Sequence, residues 1–338
     1  MKVDGDLSNE LSTALEGATY YENMGFDGIR STELYNDPFL PLTLVAEHSK
    51  KLELRTGIAV GFGRSPLTLA SVAHDLNVFS QGRFTLGLGS QIKAHITKRF
   101  SMPWGAPARK MKELLQAIHA IWDSWYDGKP LDFQGEFYTH TLMTPMFSAP
   151  PSPYGKPRIV IAAVGPLMCQ TAGEVADGVI AHSFTTEKYM REVTLPNLEK
   201  GLAASGRTRA QFEIAFNPFV ISGRNEGEFQ QNRIAACKRI AFYASTPAYK
   251  GVLEIEGYPG LQGELNAMSK KGLWDEMGEQ IEEALLNKIA IVAEPGEVVA
   301  GIKKRYGDMI DRTSGDFNFA EGETKQQMIQ ALQQITRT

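Results

Sequence analysis

The stretch LELRTGIAVGFGRSPLTLASVAHDLNVFSQGRFTLGLGSQ, residues 52–91, reads as one strand, helix, strand unit. Leu54 to Val60 is an apolar run with β-branched members, and Gly61 and Gly63 end it. Ser65 followed by Pro66 supplies an N-cap and a first-turn proline, which predicts a helix running to about Phe79. Ser80, Gln81 and Gly82 then turn the chain into a second apolar run, Arg83 to Gly89. Two apolar strands joined by a helix of this length become parallel neighbours in a sheet buried on both faces. Function in such sheets sits where the strands end. Those ends, Gly57 to Val60 and Gly87 to Gln91, are rich in glycine, so backbone can approach a flat ligand with no Cβ in the way.

Working outward, the same alternation runs through the chain. Lys2 to Leu7 is a first strand and Ser8 to Asn23 a helix; Gly28 to Leu34 is a second strand, with Glu33 at its carboxyl end, and Phe39 to Lys50 a second helix. After the opening unit come an irregular basic stretch, 92–107, a strong amphipathic helix from Ala108 to Tyr126, and a proline-rich excursion in which FQGEFY suggests a hairpin. RIVIAAVGP, VIAHSF and FEIAFNPFVI are strands five to seven, separated by helices over Leu167–Ala176 and Glu187–Ser205. Residues 225–295 are mostly helical and longer than one crossover needs, a candidate insertion within a single domain. A helix from Gly296 to Met309, an eighth strand within DRTSGDFNFAEG and a helix from Thr324 to Ile335 complete the pattern. Eight strands and their helices fit an α/β fold, a (β/α)8 TIM barrel with insertions, and 338 residues leave room for the extra segments.

The net charge is only −4 with scattered Lys and Arg, which leaves no electrostatic footprint for nucleic acid or an anionic membrane and favours a small organic molecule as partner. Cys169 and Cys237 lack metal-type spacing and read as packed thiols in a reducing compartment. MKVDGDLSNEL does not look like a leader, and no apolar run is long enough to cross a bilayer, so a cytoplasmic location is expected.

Catalysis in such a barrel belongs to the strand carboxyl ends. The candidates there are Asp6, Thr32 with Glu33, Gly57 to Val60, Gly89 with Ser90, Ala162 to Gly165, His182 with Ser183, and Asn217. Few are strong acids, bases or nucleophiles. A glycoside hydrolase would need two opposed carboxylates; Asp6 and Glu33 could supply them, but without a recognisable acid-pair context. The six histidines are scattered, no metal site is expected, and His182 alone sits at a strand end, lining the pocket or merely satisfied beside it. The run Ala162, Ala163, Val164, Gly165 enters a helix directly and aims backbone N–H groups at anything lying over the turn; an ordinary strand-to-helix turn would look the same.

GFD at 25–27, STE at 31–33, LRTGIAV, SPLTLAS, SQGRFTLGLGSQ and IAAVGPLMCQTAGEVADGVI, in this order and spacing, resemble the bacterial luciferase-like flavin monooxygenase superfamily. Within it the chain is most similar to the deazaflavin-dependent oxidoreductases that use coenzyme F420. The resemblance covers residues 1–219, returns weakly at EPGEVVAGIKKRYGDMIDR, and hardly touches 225–286. It implies FMN or F420 bound over strands three and four, serving hydride transfer to a small organic substrate or its monooxygenation. By position it implies a non-proline cis peptide between Gly57 and Ile58 against the ring, Ser90 at the ring edge, Ala162, Ala163, Val164 and Gly165 around the phosphate, and Lys98 or Arg99 as a cationic contact. It also implies a homodimer formed through helices near strands two to four. Several relatives carry a histidine directly after the strand-two acid, where this chain has Leu34, so either acid and base work falls to Glu33, Tyr35 or His182, or the chemistry needs little proton transfer from protein. The alternative is a non-catalytic flavin- or deazaflavin-binding barrel. Substrate choice is expected in the loops 92–107 and 133–153 and in the 225–295 block.

Overall fold

The computed structural model describes residues 1–8 and 10–337. Eight parallel strands close into a barrel: β1 (Lys2–Asp6), β2 (Gly28–Ser31), β3 (Glu53–Thr56), β4 (Phe84–Gly89), β5 (Arg158–Ala163), β6 (Gly178–Ala181), β7 (Glu213–Phe216) and β8 (Arg312–Ser314). Closure is made by β1 beside β8 at one seam, Val3 opposite Thr313, and by β3 beside β4 at another, Leu54 opposite Phe84. The major helices outside are α1 (Ala14–Met24), α2 (Phe39–His48), α3 (Pro66–Phe79), α4 (Pro107–Asp127), α5 (Pro166–Val175), α6 (Leu195–Ala204), α7 (Glu226–Ala244), α8 (Val298–Tyr306) and α9 (Gly322–Gln333).

The opening unit forms as its residues dictate. Ser65 caps α3, its hydroxyl accepting the Thr68 N–H at 3.2 Å with Pro66 in the first turn, an arrangement that stabilises a helix by about 1 kcal/mol. Between β3 and β4, Gly87 donates its N–H to Thr56 Oγ1 at 2.8 Å, and that hydroxyl donates to the Gly87 carbonyl at 2.7 Å. A Cβ on Gly87 would be driven into the Thr56 carbonyl, so the close approach requires glycine.

Four sequence expectations shift. The strand expected over Leu54 to Val60 is interrupted: the Gly57–Ile58 peptide is cis, and Ala59 and Val60 resume pairing with Leu88 and Gly89. The strand expected over 212–221 divides, because Pro218 has no N–H for a ladder; Phe219–Ile221 leaves the barrel to pair with Ala290–Val292. The first helix starts only at Ala14, after a 3-10 turn at Leu11–Thr13, and Asn9 within the expected span lies outside the described residues. The stretch read as irregular contains a short helix, Lys93–Lys98. The FQGEFY hairpin forms as expected, Phe133–Gln134 against Thr139–His140, and the Glu113 carboxylate on α4 receives the N–H groups of Glu136, Phe137 and Tyr138.

The barrel floor is ionic. Arg312, 2% exposed, pairs with Asp4, Glu53 and Glu213, while Arg55 reaches Glu213 at 2.7 Å. Although burial alone would raise it, the flanking Arg55 and Arg312 hold the Glu213 carboxyl down at about 2. Helices within 226–289 enclose a second buried cluster that includes Phe184, Ile221, Ile240, Leu253, Leu265 and Leu286. Cys169 and Cys237 are buried free thiols. Among the described residues no helix is long and apolar enough to cross a membrane.

Candidate active site at the barrel mouth

The carboxyl ends of β2, β3 and β4 carry the Gly57–Ile58 peptide. Both of its flanking carbonyls are tied to β2: Thr32 donates its hydroxyl to the Gly57 carbonyl at 3.0 Å, and Glu33 its N–H to the Ile58 carbonyl at 3.0 Å. The Gly57 N–H returns to the Ser31 carbonyl at 2.7 Å. On the β4 side, a Cβ at Gly89 would stand 2.8 Å from Ile58 Cδ1. The Ile58 side chain therefore sits directly against the glycine-rich end of β4.

Glu33 is buried, and its carboxylate is engaged: Oε2 accepts the Val60 N–H at 2.7 Å and Arg64 Nη1 at 2.6 Å. Arg64 continues to Asp37 at 3.1 Å, and Asp37 caps the start of α2 through the Phe39 N–H at 2.8 Å. The carboxylate thus ties the end of β2 to Val60 and Arg64 in the segment that follows Ile58. Arg64 was not singled out in the sequence because nothing local marks a residue 31 positions away as its partner.

His182 follows β6. Its Nδ1 accepts the Phe184 N–H at 3.0 Å, which leaves Nε2 to carry the proton of the neutral ring. The ring is stacked on Tyr249 at 4.7 Å and meets Tyr243 edge-on at 4.6 Å, both from the helical block 226–289. Desolvation in this aromatic setting, reinforced by the nearby Arg239 charge, pushes its pKa down to about 4. At neutral pH His182 is an N–H donor and a weak base, not an acid.

Ser90 is half-buried at the end of β4, its hydroxyl donating to the adjacent Gln91 carbonyl at 3.1 Å. Ala162 and Ala163 belong to β5, paired with Ile180 and Ala181, as the strand expected over RIVIAAVGP has it. The turn proper is Val164 and Gly165, where α5 begins. Among the described residues the N–H groups of Gly165 and Leu167 have no protein acceptor, and a Cβ at Gly165 would meet open space. Such a helix entry suits an anionic phosphate. Of the two basic candidates, Arg99 donates to the Leu34 carbonyl at 2.7 Å and lies over the Phe100 ring.

A cavity of about 210 Å³ opens between the ends of β1, β2, β6, β7 and β8 and helix α7. Asp6 in it is paired with Arg30. A larger groove of about 440 Å³ on the flank is lined by charges that satisfy one another, Lys288 with Glu256 at 2.9 Å and Arg191 with Glu187 at 3.0 Å.

A closed parallel barrel with a polar cavity at its strand ends defines an α/β barrel of the (β/α)8 class. The luciferase-like monooxygenase family model matches residues 2–312, and the chain belongs to that family. It is 46% identical over 323 residues to an uncharacterized protein of Mycobacterium tuberculosis, covering 96% of this chain and 95% of that protein. It is 25% identical over 286 residues to the 5,10-methylenetetrahydromethanopterin reductase of Archaeoglobus fulgidus, covering 84% and 82% respectively. The fold is shared with the coenzyme F420-dependent tetrahydromethanopterin reductase of Methanopyrus kandleri at a TM-score of 0.77 and 21% identity, over 99% of this chain and 97% of that one.

Proposed function

We propose that the chain is an oxidoreductase that uses a reduced flavin or deazaflavin, coenzyme F420 or FMN, to reduce or monooxygenate a small organic substrate. The observation that carries this reading is the Gly57–Ile58 segment, buttressed on its far side by Thr32 and Glu33 and facing the same mouth as the unoccupied donors at Gly165 and Leu167. The α5 entry offers N–H donors to the phosphate of such a cofactor, and the glycines at 57, 87 and 89 let Arg30, the Thr56 carbonyl and Ile58 pack closely at the strand ends. When bound, such a cofactor supplies the hydride or the oxygen chemistry.

The protein's part is then to orient and to exclude water. Ile58 presses on a ring face, Ser90 reaches a ring edge, and Val164 with Gly165 and the start of α5 hold the phosphate. Glu33 positions the segment rather than moving protons, and His182 donates a hydrogen bond through Nε2. Titrating the protein with F420 and with FMN, followed by absorbance and fluorescence, tests the reading. Micromolar binding of one is expected, and binding of neither sinks it.

The engaged carboxylate of Glu33 and the depressed basicity of His182 also favour a second reading, a barrel that binds the cofactor without turnover. Stopped-flow oxidation of the bound reduced cofactor by candidate acceptors separates the two.

We further infer pairing with a second copy in the cytoplasm. Leu15 on α1, Leu40 and Leu44 on α2 and Leu67 on α3 stand exposed on neighbouring helices beside β2 to β4, where the resemblance expects a dimer. The 225–295 block is read as an insertion in a single barrel domain that sets substrate choice.

A further inference from the structure

We propose that Arg239 anchors an anionic group of the substrate, so that this enzyme acts on a small carboxylate or phosphate with an apolar body. The inference rests on the oxidoreductase reading of the mouth. Its basis is an imbalance of charge and hydrogen bonding inside the 210 Å³ cavity.

The cations elsewhere around the mouth are engaged: Arg30 with Asp6, Arg64 with Glu33 and Asp37, Arg99 with the Leu34 carbonyl. Arg239, an exposed residue of α7, lines the cavity and has, among the described residues, no carboxylate at ion-pair distance and no hydrogen-bond acceptor. Its guanidinium lies over the Phe219 ring, the guanidinium carbon 5.6 Å from the ring centroid, and near the neutral His182 ring. An aromatic face holds a guanidinium in place while leaving its N–H fork free.

Two neutral groups share that condition. The Asn217 amide and the Ser183 hydroxyl line the same cavity, are half-buried, and make no side-chain hydrogen bond among the described residues. The acids of the cavity, by contrast, are already served. Asp6 holds Arg30; Asp316 accepts the Tyr21 hydroxyl at 2.7 Å and lies 3.6 Å from Lys325 Nζ. A free cation, a free amide and a free hydroxyl beside neutralised carboxylates form a site for one anion, and a charge-assisted fork is the strong contact such a group finds. Phe317 and Phe319, stacked at 5.5 Å along the same wall, provide the surface for an apolar body. Arg30, which lines the cavity, also packs against Gly57, so the anion would lie beside the segment that the cofactor is read to use.

The test uses the full-length protein with benzoate, phenyl phosphate and the neutral benzamide as probes, by isothermal titration, on the native chain, Arg239→Gln and Arg239→Lys. F420 and FMN affinities are measured on the same preparations. Benzoate or phenyl phosphate should bind the native chain about tenfold more tightly than benzamide, Arg239→Gln should erase that preference, and Arg239→Lys should keep part of it. Cofactor affinity should stay within about twofold in both variants, since their cradle does not include Arg239. Anions binding no better than benzamide, or equally well to Arg239→Gln, overturn the proposal. A cofactor affinity about tenfold weaker in Arg239→Gln also overturns it, by giving the residue to an acidic part of the cofactor. If neither cofactor binds the native chain while the Arg239-dependent anion preference holds, the anion site stands and only the oxidoreductase reading falls.

Discussion

The Glu33 carboxylate and the Arg64 guanidinium meet at 2.6 Å behind the Gly57–Ile58 peptide, on the same oxygen that receives the Val60 N–H. One carboxylate thereby ties the end of β2 to both the chain leaving the cis peptide and the turn before α3. Removing one partner of such a pair strands a buried charge, which costs more than the pair contributes. Arg64→Met should lower unfolding stability by about 3 kcal/mol in urea melts and weaken cofactor binding, and Glu33→Gln with Arg64→Met should recover part of the stability. Equal stability of Arg64→Met and the native chain contradicts the bracing role.

If Glu33 only positions, its charge is not consumed in turnover. Glu33→Gln keeps an oxygen for the Val60 N–H, so the shape of the kcat pH profile should persist while its height falls by about tenfold or less. Loss of a limb of that profile would return Glu33 to acid and base duty.

His182 gives acid stability a specific signature. Its folded pKa, about 4, lies below the ordinary value near 6.5, so folding favours the neutral ring. The stability is fully present above about pH 6.5 and is lost as pH falls toward 4, up to about 3 kcal/mol. Burial also lowers the pKa of His74, His119 and His140, so the informative quantity is a difference. Urea melts of the native chain and His182→Gln should diverge between these limits, and parallel pH dependence would remove the buried aromatic setting as the cause.

Gly87 and Gly89, two residues apart on β4, are chemically unlike. Gly87→Ala drives a methyl into the Thr56 carbonyl, which is backbone and cannot yield, and should cost about 3 kcal/mol or prevent folding. Gly89→Ala meets only the flexible end of Ile58 and should cost about 1 kcal/mol while displacing that side chain and weakening cofactor binding by about tenfold. Titration and melting of both variants check the contrast; equal cofactor affinity in Gly89→Ala and the native chain would falsify the placement of Ile58 against the ring.

For assembly, sedimentation should give twice the 37.3 kDa chain mass, and Leu40→Lys with Leu44→Lys should give the single chain. A native species at the single mass rejects the exposed α1 to α3 face as an interface.

Much of the barrel is legible in the residues because it is local. The Ser65–Pro66 helix entry, the apolar runs and the glycines at their ends mark β3, α3 and β4 within 40 residues, and repetition of that unit defines the barrel class. The cis position and the Gly165 turn follow from ordered short motifs carried by the family resemblance. What is not legible is any relation that depends on which distant side chains meet. Pro218 divides a strand that its apolar pattern continues, since a missing N–H matters only once a neighbour is there to want it.

The sequence by itself determined the succession of strands and helices, the class of barrel and the glycine-rich strand ends, because periodicity and the steric freedom of glycine act over a few residues. Only the tertiary structure decided the state of the chemical groups. Closure brings Arg64 onto Glu33, and the 226–289 helices bring Tyr243, Tyr249 and Arg239 to His182 and strip it of basicity. Protonation and pairing depend on what surrounds a group in space, and along the chain those surroundings lie tens of residues away.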